Sequence, residues 1–142
     1  MNEPVWLTFE IIEAIHNRQL SEHGGLSGIR DRSMLESALE RARHKYAYRE
    51  LDTDLATLAA AYAFGLARNH PFLDGNKRTA AVACELFLEL NSHYLLASDA
   101  ELYPLFLTLA AGELDEQALT DWLREHSRPQ GVSEASIDYR SD

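Results

Sequence analysis

The spacing of apolar and polar positions along the chain predicts a succession of amphipathic helices. The first runs from about Thr8, a suitable N-cap, to about Glu22. Ser33 and Glu36 have the spacing of a capping box and predict the start of the second helix. Four more helices are expected near residues 53–69, from residue 76 or 77 to about 90, near 100–111 and near 115–126. The predicted fold is therefore all-α, a compact bundle of about six helices.

Small residues indicate which helices lie at the centre of this bundle. The third and fourth predicted helices are rich in them, over residues 57–65 and 79–83. Gly65 lies inside the third helix, where glycine costs about 1 kcal/mol relative to alanine. We therefore expect another helix to pack closely at Gly65, and the third and fourth helices to form a tightly packed central pair.

Two segments lack helical spacing. Residues 23–30 contain three glycines, which permit positive φ angles, and predict a turn, short hairpin or flap. No other segment alternates as a strand does. From residue 128 the chain is polar and contains Pro129 and Gly131, so residues 128–142 are expected to form a flexible tail after a domain of residues 1–127.

Composition and charge narrow the class of protein. The formal net charge of −10 argues against general nucleic-acid binding, which requires a basic surface. No apolar run approaches the roughly 20 residues that span a bilayer, and the N-terminal residues lack the apolar stretch of a signal peptide. Cys84, the single cysteine, cannot form an internal disulfide. We expect a cytoplasmic protein with no membrane or direct nucleic-acid partner.

Residues 70–78, His-Pro-Phe-Leu-Asp-Gly-Asn-Lys-Arg, connect the two central helices. A helix stop at His70-Pro71 and a turn at Asp74-Gly75 account for part of this segment, and Asn76 is a good N-cap. Taken singly, each residue fits such a structural role. Their coincidence on one short loop indicates chemistry.

The chemistry indicated is phosphate transfer. The start of the fourth helix exposes N–H groups that suit an anion, and Arg78 can hold phosphate oxygens in a fork. Asp74 supplies a hard oxygen ligand of the kind Mg²⁺ prefers. His70 is the residue of the segment that can take a proton near neutral pH. Phe72 is apolar within a polar turn, so we expect it to anchor the loop in the core.

At these residues the sequence resembles the Fic/Doc family, whose motif reads His-x-Phe-x-Asp/Glu-Gly/Ala-Asn-Gly/Lys-Arg. The likeness extends over roughly residues 5–126, and residues 24–31, 35–39, 76–80 and 110–114 resemble the death-on-curing (Doc) branch. The resemblance implies a bundle of about six helices, in agreement with the apolar pattern.

The resemblance also implies roles for particular residues. His70 would be the base that activates a protein hydroxyl, Asp74 would hold Mg²⁺, and Arg78 would clamp phosphate. The remaining implied positions form the anion pocket: Gly75, Asn76 and Lys77. The glycine loop would be a flap that positions the target protein, with the candidate residues Gly24, Gly25, Gly28 and Arg30.

Two departures from the AMP-transferring relatives favour the Doc branch. Those relatives have glycine at the position of Lys77 and usually a second arginine at the position of Ala81. The Doc branch shares both departures and transfers the γ-phosphate of ATP, bound in the reverse sense. Pro71 and Gly75 are instead more like the AMP-transferring relatives, so protein adenylylation is the second hypothesis. The residues are also compatible with a non-catalytic nucleotide-binding module and with a purely structural bundle.

The partners are implied by the resemblance alone. Self-inhibited relatives carry Ser/Thr-x-x-x-Glu-Gly/Asn, and no glutamate of this sequence precedes glycine or asparagine. The predicted function is therefore that of a toxin of a type II toxin–antitoxin system, with a small antitoxin protein encoded next door. Its cofactors would be ATP and Mg²⁺, and the implied target is a protein such as a translation elongation factor.

Overall fold

A computed structural model describes residues 1–131 of the chain. These residues form six helices and a two-stranded sheet in the order α1 (Phe9–His23), α2 (Arg32–Ala47), α3 (Leu55–Asn69), α4 (Asn76–Leu90), β1 (His93–Leu95), α5 (Asp99–Ala110), α6 (Glu116–His126) and β2 (Ser127–Pro129). The prediction of a mostly helical bundle is confirmed. None of the helices described is long and apolar enough to cross a lipid bilayer.

Helix α3 lies at the centre of the bundle and is buried along most of its length. Helices α2 and α4 make the most extensive packing against it, and α6 and α5 also contact it. A Cβ atom added at Gly65 would lie 3.0 Å from the Cα atom of Ala38 in α2. Gly65 therefore allows the backbones of α2 and α3 to approach closely, as its position in the sequence predicts.

The helix N-termini are capped by side chains in all but one case among these six helices. Thr8 caps α1 as predicted, with its hydroxyl accepting from the Ile11 N–H at 3.2 Å. The prediction for α2 is wrong: Asp31 is its N-cap and accepts from the Met34 N–H. Ser33 instead donates its hydroxyl proton to the Asp31 carboxylate at 2.7 Å. A carboxylate two residues earlier thus outcompetes the serine hydroxyl for the first-turn N–H groups.

The small sheet corrects two expectations about the chain after α4. Strands β1 and β2 pair antiparallel, with His93 opposite Pro129 and Leu95 opposite Ser127. The backbone N–H of Gln130 also donates to the carbonyl of Ser92 at 2.7 Å. The tail expected from residue 128 onward therefore does not begin there, and strands exist where no alternation predicts them. Residues 132–142 of that expected tail lie outside the described residues.

Candidate phosphate-transfer site

The loop between α3 and α4, residues 70–75, carries the candidate site. Helix α3 ends at Asn69, and His70 follows in the left-handed region with φ 48° and ψ 57°. Phe72 is 2% exposed and anchors the loop in the core. Gly75, at φ 78°, is the N-cap of α4. Helix α3 thus ends before Pro71, as expected because proline disfavours helical backbone angles in the residue that precedes it.

The side chain of Asn76 closes this loop. Its Oδ1 accepts from the Phe72 N–H at 2.9 Å, and its Nδ2 donates to the Phe72 carbonyl at 3.0 Å. The expectation that Asn76 caps α4 is therefore wrong, because its amide is used by the backbone of Phe72. The Asn76 side chain therefore fixes the shape of the loop.

Helix α4 begins with features that suit an anion. Of the six helices in residues 1–131, it alone has no side-chain cap, and its first turn contains no acidic residue. Unpaired N–H groups and the helix dipole create a positive potential at such an end. Lys77 and Arg78 lie in the same turn, so side-chain charge and backbone donors occur at one position.

Asp74 is an exposed carboxylate on the last turn before this helix. Its Oδ1 accepts from the Gly75 N–H at 2.9 Å, and its Oδ2 accepts from the Leu26 N–H at 3.3 Å. Residues 1–131 contain no group of three histidine, cysteine or carboxylate side chains arranged to hold a metal. A single carboxylate beside an anion site fits Mg²⁺, which commonly takes one or two protein carboxylates and completes its shell with phosphate oxygens and water.

His70 directly follows the last residue of α3, and its side chain is exposed. Partial desolvation of its ring is the main cause that lowers the pKa of His70, and the positive charges of Lys77, Arg30 and Arg68 lower it further. A lowered pKa keeps the imidazole neutral at neutral pH. The ring can therefore accept a proton, as a general base must.

The glycine-rich segment attaches to the same loop instead of forming a hairpin of its own. Ile29 and Phe72 form an isolated antiparallel bridge. The N–H of Leu73 donates to the carbonyl of Gly28 at 3.1 Å, and the N–H of Arg30 donates to the carbonyl of Pro71 at 2.7 Å. This segment, which we call the flap (residues 24–31), is thus bound edge to edge to the loop.

The four flap residues expected to position a target occupy different places, and Gly28 is the one whose carbonyl accepts from Leu73. Gly24 ends α1 at φ 76°, with its N–H bonded to Leu20, and has no close neighbour around its Cα. A Cβ atom on Gly25 would lie 2.8 Å from Oδ2 of Asp74, so this glycine lets the flap approach the carboxylate. Arg30 donates from Nε to the His70 carbonyl at 2.6 Å and from Nη2 to the Asn69 carbonyl at 2.8 Å.

A cavity of about 300 Å³ adjoins Arg78 on the side of α1 and α5. The guanidinium of Arg78 lies over the Tyr103 ring, 5.0 Å from its centroid. Ala81 lies in the cavity wall, as do three carboxylate residues, Glu22, Glu85 and Asp99. Burial, followed by the charges of Asp99 and Glu89, raises the pKa of Glu85. Carboxylate residues therefore outnumber the single arginine in the wall of this cavity.

A larger cavity lies elsewhere. It measures about 830 Å³ between α2, α3 and α6, is crossed by the Arg41–Glu116 ion pair, and includes none of residues 70–78. The candidate chemistry lies instead at the start of α4, where the uncapped helix end follows a short loop that carries His70 and Asp74. Of residues 70–78, Arg78 is the one that lines the smaller cavity.

Sequence reasoning missed two residues of this neighbourhood. Tyr103 contacts Arg78 from α5, and nothing in its local sequence sets it apart. His16 lies on the buried face of α1, one turn after Ile12 and next to Ile15. It bonds to the Asp74 carbonyl. A histidine within an apolar stripe was the available signal for His16.

The fold and site together define a helical domain in which an uncapped, cationic helix N-terminus follows a loop with an exposed histidine and an exposed carboxylate. The sequence profile of the Fic/DOC family matches residues 6–88, more than half of the chain, so the chain belongs to the Fic/DOC family. It is 37% identical over 115 residues to the protein kinase doc of Escherichia phage P1, covering 81% of this chain and 90% of the relative. It is 39% identical over 74 residues to toxin Doc of Mycolicibacterium smegmatis, covering 52% of this chain and 57% of the relative.

Proposed function

We propose that this protein is a Doc-type toxin that transfers the γ-phosphate of MgATP to a hydroxyl of a target protein. The observation that carries the proposal is the uncapped, cationic start of α4 directly after a loop that holds His70 and Asp74. The likeness to the phage P1 protein kinase doc over most of both chains supports the same reaction.

In the proposed reaction His70 takes the proton of the target hydroxyl. The hydroxyl oxygen forms a bond to the γ-phosphorus, and the bond from this phosphorus to the β–γ bridging oxygen breaks, releasing ADP. The α4 N–H groups and Arg78 stabilise the negative charge on the phosphates. Asp74 would hold Mg²⁺, which supplies charge neutralisation to the phosphates when bound.

The acidic cavity beside Arg78 supports γ-phosphate transfer over AMP transfer. Its wall follows one face of α4 through Arg78, Ala81 and Glu85, so it extends about 10 Å along the helix from the anion site. Carboxylates repel a polyphosphate and accept hydrogen bonds from sugar hydroxyls and base amino groups. A nucleoside in this cavity leaves the terminal phosphate at the start of α4, close to His70 in sequence.

Protein adenylylation is the second candidate, favoured by Pro71 and Gly75. The backbone offers a separate reason for the glycine, because Gly75 has φ 78°, which side chains rarely adopt. Only Pro71 then favours AMP transfer, and the acidic cavity opposes it.

The proposal includes two partners and a compartment. The sequence contains no glutamate followed by glycine or asparagine, so the inhibitory motif of self-inhibited relatives is absent. We propose that a separate small antitoxin protein restrains the enzyme in the cytoplasm. The name of the Mycolicibacterium relative, toxin Doc, supports this setting.

A labelling experiment in bacterial lysate tests the reaction without a chosen target. We expect label from γ-phosphate-labelled ATP to enter a protein, and label from α-phosphate-labelled ATP not to. His70→Ala should lower the rate by about 10²- to 10⁴-fold and leave ATP binding intact. His44→Ala is the matched control, because His44 is an exposed histidine on α2 outside the site.

Each outcome has a distinct meaning. Transfer of the α-label would replace the kinase with an adenylyl transferase. ATP binding without transfer of either label would favour a non-catalytic nucleotide-binding module. Unchanged transfer by His70→Ala would remove His70 from the reaction.

A further inference from the structure

Helix α1 places a histidine in the core directly against the candidate loop. His16 is 2% exposed, and its ring stacks on Phe72 with 3.7 Å between ring centroids and 8° between planes. Its Nε2 lies 2.8 Å from the backbone carbonyl oxygen of Asp74. A carbonyl oxygen only accepts, so Nε2 carries the hydrogen of this bond. One side chain therefore contacts both the loop anchor and the backbone of the carboxylate residue.

The bond to the Asp74 carbonyl sets the orientation of the Asp74–Gly75 peptide. In a trans peptide the C=O and N–H bonds point in opposite directions. The carbonyl of this peptide points to α1, so the Gly75 N–H points to the other side, where it donates to Oδ1 of Asp74 at 2.9 Å. The direction of this peptide thus determines where a backbone donor and the Asp74 carboxylate lie at the start of α4.

The imidazole also lies close to Gly75. A Cβ atom added at Gly75 would lie 3.6 Å from Cδ2 and 3.7 Å from Nε2 of His16, which is ordinary packing distance. The ring that holds the preceding carbonyl thus lies about one methyl group away from the Gly75 backbone. The stacked Phe72 ring covers the loop from within the core.

We propose that His16 is a positioning residue for phosphate transfer, holding the Asp74–Gly75 peptide so that the Asp74 carboxylate, oriented by its bond from the Gly75 N–H, faces the Mg²⁺ of the nucleotide. This inference rests on the proposed function, since it assigns Asp74 to the metal. His16 acts through Asp74 and Gly75 and does not touch the reacting atoms.

Two substitutions separate the hydrogen bond from the packing. His16→Phe keeps an aromatic ring against Phe72 and removes the donor, leaving the Asp74 carbonyl without its partner. His16→Gln keeps an N–H donor of similar reach and removes the ring. Ile12→Ala is the matched control, because Ile12 is fully buried one turn earlier on α1, and its loss lowers stability without removing a bond to the loop.

The kinetic readout is the Mg²⁺ dependence of label transfer. Loss of a group that orients a metal ligand commonly costs 10- to 100-fold in metal affinity or activity. We expect His16→Phe to raise the Mg²⁺ concentration for half-maximal rate about 10-fold and to lower kcat, while KM for ATP at saturating Mg²⁺ changes little. His16→Gln should recover part of both, and Ile12→Ala should lower the melting temperature alone.

A second readout needs no reaction. Amide hydrogen exchange of the protein without nucleotide should be faster at residues 74–78 in His16→Phe than in Ile12→Ala, with α3 unchanged. If His16→Phe matches the Ile12→Ala control in both Mg²⁺ dependence and exchange, His16 only fills space and the inference is overturned; if it does not fold, His16→Gln is judged by the same comparison. If the wild-type protein transfers no label but His16→Phe loosens residues 74–78, the proposed function fails and the positioning by His16 stands.

Discussion

Replacing Arg30 tests whether this residue serves the target or the loop. The resemblance implies that the flap positions a target protein. The structure shows the Arg30 guanidinium bonded to the last two carbonyls of the α3 terminus, those of Asn69 and His70. We therefore expect Arg30→Ala to destabilise the fold and disturb His70, whether or not a target protein is present.

The magnitude follows from the two hydrogen bonds. Bonds that involve a charged group contribute about 1.5–3 kcal/mol each when sheltered. Arg30 is exposed, so water competes for both bonds, and we take about 1–2 kcal/mol for the pair together. In a domain of this size that loss lowers the melting temperature by roughly 3–8 °C.

The assays are urea unfolding, thermal melting and steady-state kinetics. Arg30→Lys keeps the charge but cannot donate from two nitrogens to both carbonyls, so it should restore at most about half of the stability that Arg30→Ala loses. Arg18→Ala is the control: Arg18 makes an exposed ion pair with Glu22 one turn away, a contact worth about 0.3–0.5 kcal/mol. The reasoning is refuted if Arg30→Ala melts like the wild type and only KM for the target protein rises.

Two further predictions concern packing and proton transfer. Gly65→Ala should lower the free energy of unfolding by up to about 2 kcal/mol in urea, because overpacking against Ala38 costs about 1–3 kcal/mol and the gain in helix propensity is about 1; a more stable variant would show that α2 can yield. Because the pKa of His70 is lowered in the free protein and its neutral form is the base, kcat/KM should rise with pH along an acidic limb displaced below the ordinary pKa of histidine. Arg68→Gln removes a charge that lowers this pKa, so the limb should move to higher pH; a limb that moves lower would contradict the assignment of His70 as the base.

The sequence by itself determined the features that depend on neighbouring residues. Apolar spacing located the helices to within a residue or two, and Thr8 was correctly identified as the cap of α1. The close approach at Gly65 was also predictable, because a glycine inside a helix carries a cost that packing can offset. The chemistry of the candidate site was readable for the same reason, since its proposed base, metal ligand and anion-binding groups all lie within residues 70–78.

Only the tertiary structure decided which residues that lie far apart in sequence come into contact. His16 bonds to a carbonyl 58 residues later, and Arg30 bonds to one 40 residues later; the local sequence of neither residue identifies that carbonyl. Strands β1 and β2 have three residues each and exist because they pair, so neither shows alternation alone. A local sequence pattern indicates whether a segment forms a helix. The contacts between distant residues depend instead on how the helices pack in the whole bundle. The candidate site takes its residue types from one segment, and its shape from α1 and the flap.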